Sequence, residues 1–110
     1  MMDEHDFRGK CDAAFEALRA RLLALSDEYG FEVEGLGEKL ELHFDDPEET
    51  RFVISPNTPV RQIWISALTT SFKLGWSEEA GAFTLEKTGE TLEQLMSRAL
   101  SQQLGAPVSV

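Results

Sequence analysis

The spacing of apolar residues changes twice along this chain, and this change restricts the possible folds more than any other feature. In the first part, apolar residues recur at steps of one, three and four, which is the spacing of one face of an α-helix. They are Phe7, Cys11, Ala14, Phe15, Leu18, Leu22 and Leu25. Because Gly30 is a suitable terminator, the pattern predicts a helix over about 5–27.

In the middle of the chain, apolar residues alternate with polar ones, which is typical of strands that bury one face. The alternation predicts six strands, over 31–34, 39–44, 52–55, 62–66, 72–74 and 83–86. Segments rich in Gly, Pro and acidic residues separate several of them: GLGE (35–38), DDPEET (45–50), PNTP (56–59) and SEEAGA (77–82). Connections this short join antiparallel neighbours.

A second helical pattern follows the strands. Thr91 with Gln94 three residues later has the spacing of a capping box, and Gly105 suits the position after the last helical turn. The apolar face between them consists of Leu92, Leu95, Met96, Ala99, Leu100 and Leu104. We expect the remaining tail, APVSV, to fold back over the helices.

The order of helix, six strands and helix predicts the fold class. Two amphipathic helices can cover the apolar face of an antiparallel sheet, which gives an α+β fold, a two-layer α/β sandwich with both terminal helices on one face. At 110 residues we expect one domain over 1–110.

Charge restricts the partners of this protein. The formal net charge is −10, and residues 1–50 carry 15 of the 20 acidic residues. Such a surface repels nucleic acid and anionic membranes, and it attracts cations and basic protein surfaces. The N-terminus has no apolar stretch of the kind found in signal peptides, and Cys11 is the one cysteine, so we expect a cytoplasmic protein with a buried thiol. We also expect it to be a monomer.

None of the common catalytic or nucleotide-binding motifs is present: CxxC, HExxH, GxGxxG, GxSxG and the P-loop are all absent. His5 and His43 have no soft third ligand nearby in the sequence, which argues against a zinc site. The sequence therefore shows no standard catalytic constellation.

The alternation on the fourth strand leaves Gln62, Trp64 and Ser66 on the face that the helices do not cover. An outward Trp is a candidate anchor for a partner, because Trp dominates interface hot spots. Arg61 and Asn57 precede it and offer polar contacts. The alternative is that Trp64 only packs against side chains of the neighbouring strands.

Acidic residues form a second candidate site. Glu32, Glu34 and Glu41 share the outer side of the first hairpin, and residues 27–49 hold ten acids and one base. Carboxylates suit Ca²⁺, Mg²⁺, Mn²⁺ and ferrous iron, bound weakly where water completes the shell. The alternative is a solvated acidic edge that prevents strand-to-strand aggregation.

The segment FVISPNTPVRQIWIS (52–66) resembles the signature of the frataxin family, a V-I-N-x-Q-x-P strand and turn followed by Q-I/V-W-L. The last helix, GETLEQLMSRALSQQLG (89–105), is similar to that of the family's bacterial CyaY branch. With the opening helix and the acidic hairpin, the resemblance covers nearly the whole chain.

The resemblance implies a regulator that binds the cysteine desulfurase and the scaffold of iron–sulfur cluster assembly, and that holds Fe²⁺ or Fe³⁺ weakly on an acidic ridge. It implies that Gln62 and Trp64 contact these partners, with Arg61 beside them. Ser55 and Asn57 stand where the family has Asn and Gln, and Pro56 lies between them. Two alternatives remain open: a stand-alone iron buffer or ferroxidase-like iron handler, and an acidic secretion chaperone.

The first helix departs from the family pattern. Its second half reads RARLLA (19–24) where the family is rich in Asp and Glu. The carboxylates that remain as candidate iron ligands are Asp3, Glu4, Asp27, Glu28, Glu32, Glu34 and Glu41, with His5 or His43 as additional ligands.

Overall fold

A computed structural model describes residues 2–45 and 48–110 of the chain. The first helix, α1, spans Glu4–Tyr29 and the second, α2, spans Leu92–Leu104. The strands between them are β1 (Glu32–Leu36), β2 (Lys39–Phe44), β3 (Thr50–Asn57), β4 (Gln62–Ala67), β5 (Thr70–Ser77) and β6 (Ala82–Leu85). A short 3₁₀ turn, Thr58–Val60, joins β3 to β4.

The six strands pair in chain order, each antiparallel to the next, and form one sheet. Both helices cover the same face, so alternate strand residues are buried, as in β4, where Ile63, Ile65 and Ala67 are enclosed while Trp64 and Ser66 are not. The predicted two-layer α+β fold is therefore confirmed.

Aromatic side chains connect the two layers. Phe7 of α1 meets Phe83 of β6 edge-on, with ring centroids 5.8 Å apart, and Phe44 and Phe52 pack together on neighbouring strands at 4.8 Å. Leu18 and Leu22 complete the buried stripe of α1. Burying each such side chain contributes roughly 1.5–3 kcal/mol, so this contact between the layers is the main source of stability.

The helix ends follow from local chemistry. The Asp3 carboxylate accepts a hydrogen bond from the Asp6 N–H at 2.8 Å and caps α1, and Gly30 closes it in the left-handed region. At the start of α2, the Gln94 N–H donates to the Thr91 hydroxyl and the Thr91 N–H donates to the Gln94 side chain. The predicted capping box is confirmed, and α1 runs two residues beyond the predicted end because Gly30 terminates it directly.

Two loop predictions are wrong. The loop predicted over 35–38 is a two-residue turn at Gly37 and Glu38, because β1 continues to Leu36. Strand β3 passes through Pro56 to Asn57, beyond the predicted end at Ser55. Pro56 lies beyond the paired part of β2, which ends opposite Ile54, and strands tolerate proline where pairing on one side is absent.

The loop predicted over 45–50 is only partly comparable with the structure, because Asp46 and Pro47 lie outside the described residues. β5 and β6 span Thr70–Ser77 and Ala82–Leu85, so β5 is longer than the predicted strand over 72–74. β6 begins one residue before the predicted strand over 83–86 and ends one residue before its predicted end.

The C-terminal tail packs against α2. The Val108 N–H donates to the Ser101 hydroxyl at 2.9 Å, and the Val110 N–H donates to the Ser97 hydroxyl at 2.9 Å. Val108 is buried in the core. The expected return of the tail is confirmed.

Cys11 lies on the buried face of α1. Burial raises the pKa of its thiol to about 12, and the nearby charges of Asp12 and Glu38 act in the same direction. The thiol is therefore protonated and unreactive at neutral pH. Within residues 2–45 and 48–110, neither helix is long and apolar enough to span a bilayer.

The turn between β4 and β5 is strained. Leu68 and Thr69 have φ values of 53° and 57°, which fits the twist of a two-residue hairpin but disfavours residues other than Gly, Asn or Asp. A β-branched residue is especially costly there.

We predict that Thr69→Gly stabilises the protein by about 0.5–1 kcal/mol, because relief of the left-handed strain exceeds the extra chain entropy of glycine. Urea unfolding followed by circular dichroism measures the change. Thr70→Gly, in the extended first residue of β5, is the control and should destabilise. A loss of stability in Thr69→Gly would contradict the strain.

A charged pair fixes the segment before α2. Arg98 donates from Nε and Nη2 to the two Glu90 carboxylate oxygens at 2.8 and 2.9 Å. The hydrogen bonds from Arg98 lower the pKa of Glu90. Because the folded-state pKa lies below the unfolded value, this stabilisation is present above the unfolded-state pKa and is lost as the pH falls through the folded-state pKa.

We predict that Glu90→Gln costs about 0.5–1 kcal/mol at neutral pH and that the difference from the unaltered protein disappears in acid, where Glu90 is protonated. Unfolding free energies measured across this pH range test the prediction. Glu86→Gln, an exposed acid of the same loop, is the control. A Glu90→Gln cost that persists unchanged in acid would exclude the charge as its cause.

Candidate functional site

The outer face of the sheet, which the helices leave uncovered, carries two groups of side chains. Strand register places Ser55, Trp64 and Lys73 in one row across β3, β4 and β5. The next row along the strands contains Asn57 and Gln62. We call the side chains of Gln62, Trp64 and Lys73 the tryptophan group.

Neighbouring side chains hold Trp64 in one orientation. Its indole N–H donates to the Gln62 side-chain oxygen at 2.9 Å, and the Lys73 ammonium lies 4.8 Å from the ring centroid. The residue is still 37% exposed. Neighbouring side chains therefore hold the ring, while part of it remains exposed to a partner. Both interpretations of the sequence, a partner anchor and packing against neighbouring strands, apply in part.

A shallow depression of about 370 Å³ lies beside the ring, lined in part by Val53, Ser66 and Ser71. The sequence analysis did not identify Lys73. If the two-residue turn at Leu68 and Thr69 is assumed, Ala67 pairs with Thr70, and three residues further along each strand Trp64 pairs with Lys73.

The Arg61 side chain is held within its own turn and is not a freely mobile basic group. Its φ is 55°, its Nη1 donates to the Thr58 carbonyl of its own turn, and its Nε is buried without a hydrogen-bond partner among the described residues. The guanidinium therefore stiffens the turn that leads into β4. Val60, in the same turn, is more than half exposed.

The candidate iron ligands on α1 are divided between its two ends. Asp3 caps the helix, Glu4 lies 3.8 Å from Arg8 in an exposed ion pair, and Asp27 and Glu28 occupy the last turn. At 1.5 Å per residue the two ends are about 36 Å apart. These four carboxylates therefore cannot hold the same ion.

A second group lies on the first hairpin, and we call it the hairpin cluster: Glu34, Glu41 and His43. Glu34 is directly opposite Glu41 in the β1–β2 register. One ligand atom from each of the three residues lies within 4.8 Å of the others. The His43 Nε2 is 3.3 Å from Glu34 and 3.2 Å from Glu41.

Glu41 is unusual for a carboxylate on an outer face, because only 6% of its side chain is exposed. Lys39 lies 3.5 Å and Arg51 3.6 Å from its oxygens. These cations compensate the buried charge. Sequence reasoning placed Glu41 on the outer face but missed its burial and the role of Arg51, which depends on β2–β3 pairing.

Glu32 lies opposite His43 in the register but outside the hairpin cluster. His5 lies on α1, in the other layer of the fold. The structure thus brings together two of the seven candidate carboxylates. The partner and iron roles of all these residues stay predictions.

Comparison with known proteins identifies relatives along the whole chain. A sequence model of the frataxin-like domain matches residues 1–106. The iron–sulfur cluster assembly protein CyaY of Pseudomonas putida (strain W619) is 27% identical over 106 residues, covering 94% of this chain and 91% of the relative. The protein of the same name from Pseudomonas fluorescens (strain Pf0-1) is 30% identical over 56 residues, 51% of each chain.

The architecture is also shared with a solved structure. Frataxin from Psychromonas ingrahamii superimposes with a TM-score of 0.79, at 19% identity, over 98% of this chain and 97% of that one. At 19% identity, the structural similarity shows a shared fold only. Family membership is shown by the match of residues 1–106 to the domain model. This chain belongs to the frataxin-like family.

Proposed function

We propose that this protein regulates iron–sulfur cluster assembly by docking on the cysteine desulfurase and its scaffold protein, where it modulates sulfur transfer or iron delivery. The observation that carries the proposal is the tryptophan group: an exposed indole, held by Gln62 and Lys73, on a sheet face that no helix covers. The CyaY relatives are named iron–sulfur cluster assembly proteins, which supports the choice of pathway.

Docking combines two physical effects. The acidic first half of the chain attracts a basic surface on the desulfurase over several ångströms, which raises the association rate. Close contact then comes from Trp64, because an aromatic ring with a fixed rotamer loses little entropy on binding. Ser55, Asn57, Gln62 and Arg61 surround it with polar groups. The protein acts as a cytoplasmic monomer and without catalysis of its own.

Iron is the cargo or the modulator in this account. Oxygen ligands at a partly hydrated site bind Fe²⁺ weakly. Glu34 and Glu41 are the candidate carboxylates of the hairpin cluster, whose ligand atoms lie within 4.8 Å of one another, so they are the proposed iron ligands. The other candidate carboxylates contribute to iron binding only through the negative electrostatic potential of the surface. They are Asp3, Glu4, Asp27, Glu28 and Glu32.

A stand-alone iron handler is the second candidate function. The hairpin cluster favours it, because a group that binds metal needs no partner to do so. Iron retention by the isolated protein, together with failure to bind the desulfurase, would favour this alternative over docking.

We predict that Trp64→Ala weakens desulfurase binding at least tenfold, about 1.4 kcal/mol or more, while the fold is retained because the ring lies outside the core. Isothermal titration calorimetry measures the affinity and circular dichroism the fold. Trp76→Phe, which alters a half-buried Trp packed against Phe83, is the control. Unchanged affinity in Trp64→Ala would contradict the assignment of the docking face.

We predict that Glu48→Gln/Glu49→Gln slows association with the desulfurase at low ionic strength and leaves dissociation unchanged, because exposed charges steer the encounter without close contact. Stopped-flow kinetics at several salt concentrations measures both rates. Glu78→Gln/Glu79→Gln removes the same charge from the exposed turn between β5 and β6 and serves as the control. Equal effects of the two pairs would show that net charge, rather than the acidic half, controls the rate.

A further inference from the structure

A cavity of about 410 Å³ lies on the helical side of the sheet, beside the β6 edge. Lys10 and Ala13 of α1 form one wall and Leu92 of α2 forms another, while Trp76 of β5 and Phe83 of β6 form the floor. Most of this lining is apolar. The volume lies at the lower end of the range of small-molecule sites, about 300–1,000 Å³.

The Trp76 indole supplies this cavity with an unused hydrogen-bond donor. The Trp76 and Phe83 rings meet edge-on, with centroids 5.2 Å apart, and the Trp76 Nε1 is buried without a hydrogen-bond partner among the described residues. An unpaired buried donor costs about 1–3 kcal/mol. Because most buried polar groups have a partner, a donor of this kind in a cavity wall points to an acceptor on a ligand.

Lys10 brings a positive charge to the same place. Its ammonium lies 4.9 Å from the centroid of the Trp76 ring and forms no ion pair with any of the described residues. Glu93, the acid in the cavity lining, is exposed. The contact of a cation with an indole face contributes about 0.5–1 kcal/mol at an exposed site, and a carboxylate would add a charge-assisted hydrogen bond. The indole donor and the ammonium together therefore favour an anion with oxygen acceptors.

We propose that this cavity binds a small aromatic carboxylate. The carboxylate accepts a hydrogen bond from the Trp76 Nε1 and pairs with the Lys10 ammonium, and the ring packs against Ala13 and the Trp76–Phe83 pair. Nε1 is closed to solvent in this conformation, so the flexible Lys10 side chain, which lies over the indole, turns aside as the ligand enters. A molecule with one ring, rather than a peptide, matches the cavity volume.

This site goes beyond the proposed docking function and does not rest on it. Trp76 lies on the same face of β5 as the buried Leu74, whereas Trp64 lies on the outer face, so the sheet separates the cavity from the tryptophan group. A ligand in the cavity contacts α1, the sheet and the start of α2, and it stabilises the folded chain as its concentration rises. A failure of docking would leave this site intact, and the reverse also holds.

Titration of the full chain with benzoate, followed by the indole N–H signals in ¹H–¹⁵N correlation spectra, tests the proposal. The chain has two tryptophans, and Trp76→Phe assigns their two signals. We expect benzoate to shift the Trp76 signal downfield in a saturable manner and to leave the Trp64 signal unchanged. Benzamide keeps the ring without the charge, and acetate keeps the charge without the ring. Each should bind at least about tenfold more weakly than benzoate.

Paired variants locate the ligand. Lys10→Gln should weaken benzoate binding about tenfold because it removes the cation, whereas Lys87→Gln, exposed in the loop before α2, should have no effect. Ala13→Leu should fill the cavity and prevent binding, whereas Ala17→Leu, exposed about one turn further along α1, should bind benzoate as the unaltered protein does. An unchanged Trp64 signal shows that each variant keeps its fold.

A Trp76 signal that does not respond to benzoate would overturn the site, and equal affinity for benzoate and benzamide would overturn the anionic ligand. Equal movement of both indole signals would show that benzoate binds without preference for the cavity. Binding that persists unchanged in Ala13→Leu would place benzoate elsewhere on the chain. Either of these last two results would also refute the proposal.

Discussion

Burial of one face of the sheet by both helices is the constraint on which the rest of this structure depends. The helices supply Phe7, Leu18 and Leu22 from one end of the chain and Leu95 and Met96 from the other. Successive side chains of a strand point to opposite faces of the sheet. Each side chain that is buried in the core therefore places the side chains of the adjacent residues on the outer face. The register that packs the core therefore also aligns Ser55, Trp64 and Lys73 across the outer face.

Charge on that outer face is organised rather than evenly spread. Glu41 is enclosed between Lys39, His43 and Arg51, whereas Trp64 lies among small and polar side chains. The acidic hairpin and the aromatic anchor are separate features on one surface. Such a surface suits a partner that is first attracted by the acidic residues and then bound through contact with the Trp64 ring. These two steps are the basis of the proposed docking.

The helices, the strand order and the outward position of Trp64 could be predicted because each depends on local periodicity and capping, as Thr91 and Gln94 illustrate. The turn at Gly37 and Glu38 could not, because four loop-forming residues do not reveal which two form the turn. The hairpin cluster and Lys73 depend on cross-strand register, which in turn depends on turn lengths such as the two-residue turn at Leu68 and Thr69. The sequence pointed to carboxylates as metal ligands, but the enclosure of Glu41 and the 3.3 Å approach of Glu34 to His43 are features of the folded chain.

In the proposed docking, the outer face of the sheet, and not the exposed side of the helices, receives the partner. Amide hydrogen exchange of this protein, alone and saturated with its own organism's cysteine desulfurase and scaffold, distinguishes the two faces. We expect slower exchange in β4 around Trp64 and in the β1–β2 hairpin, with α2 unchanged. Protection confined to the helices, with β4 unaffected, would contradict it.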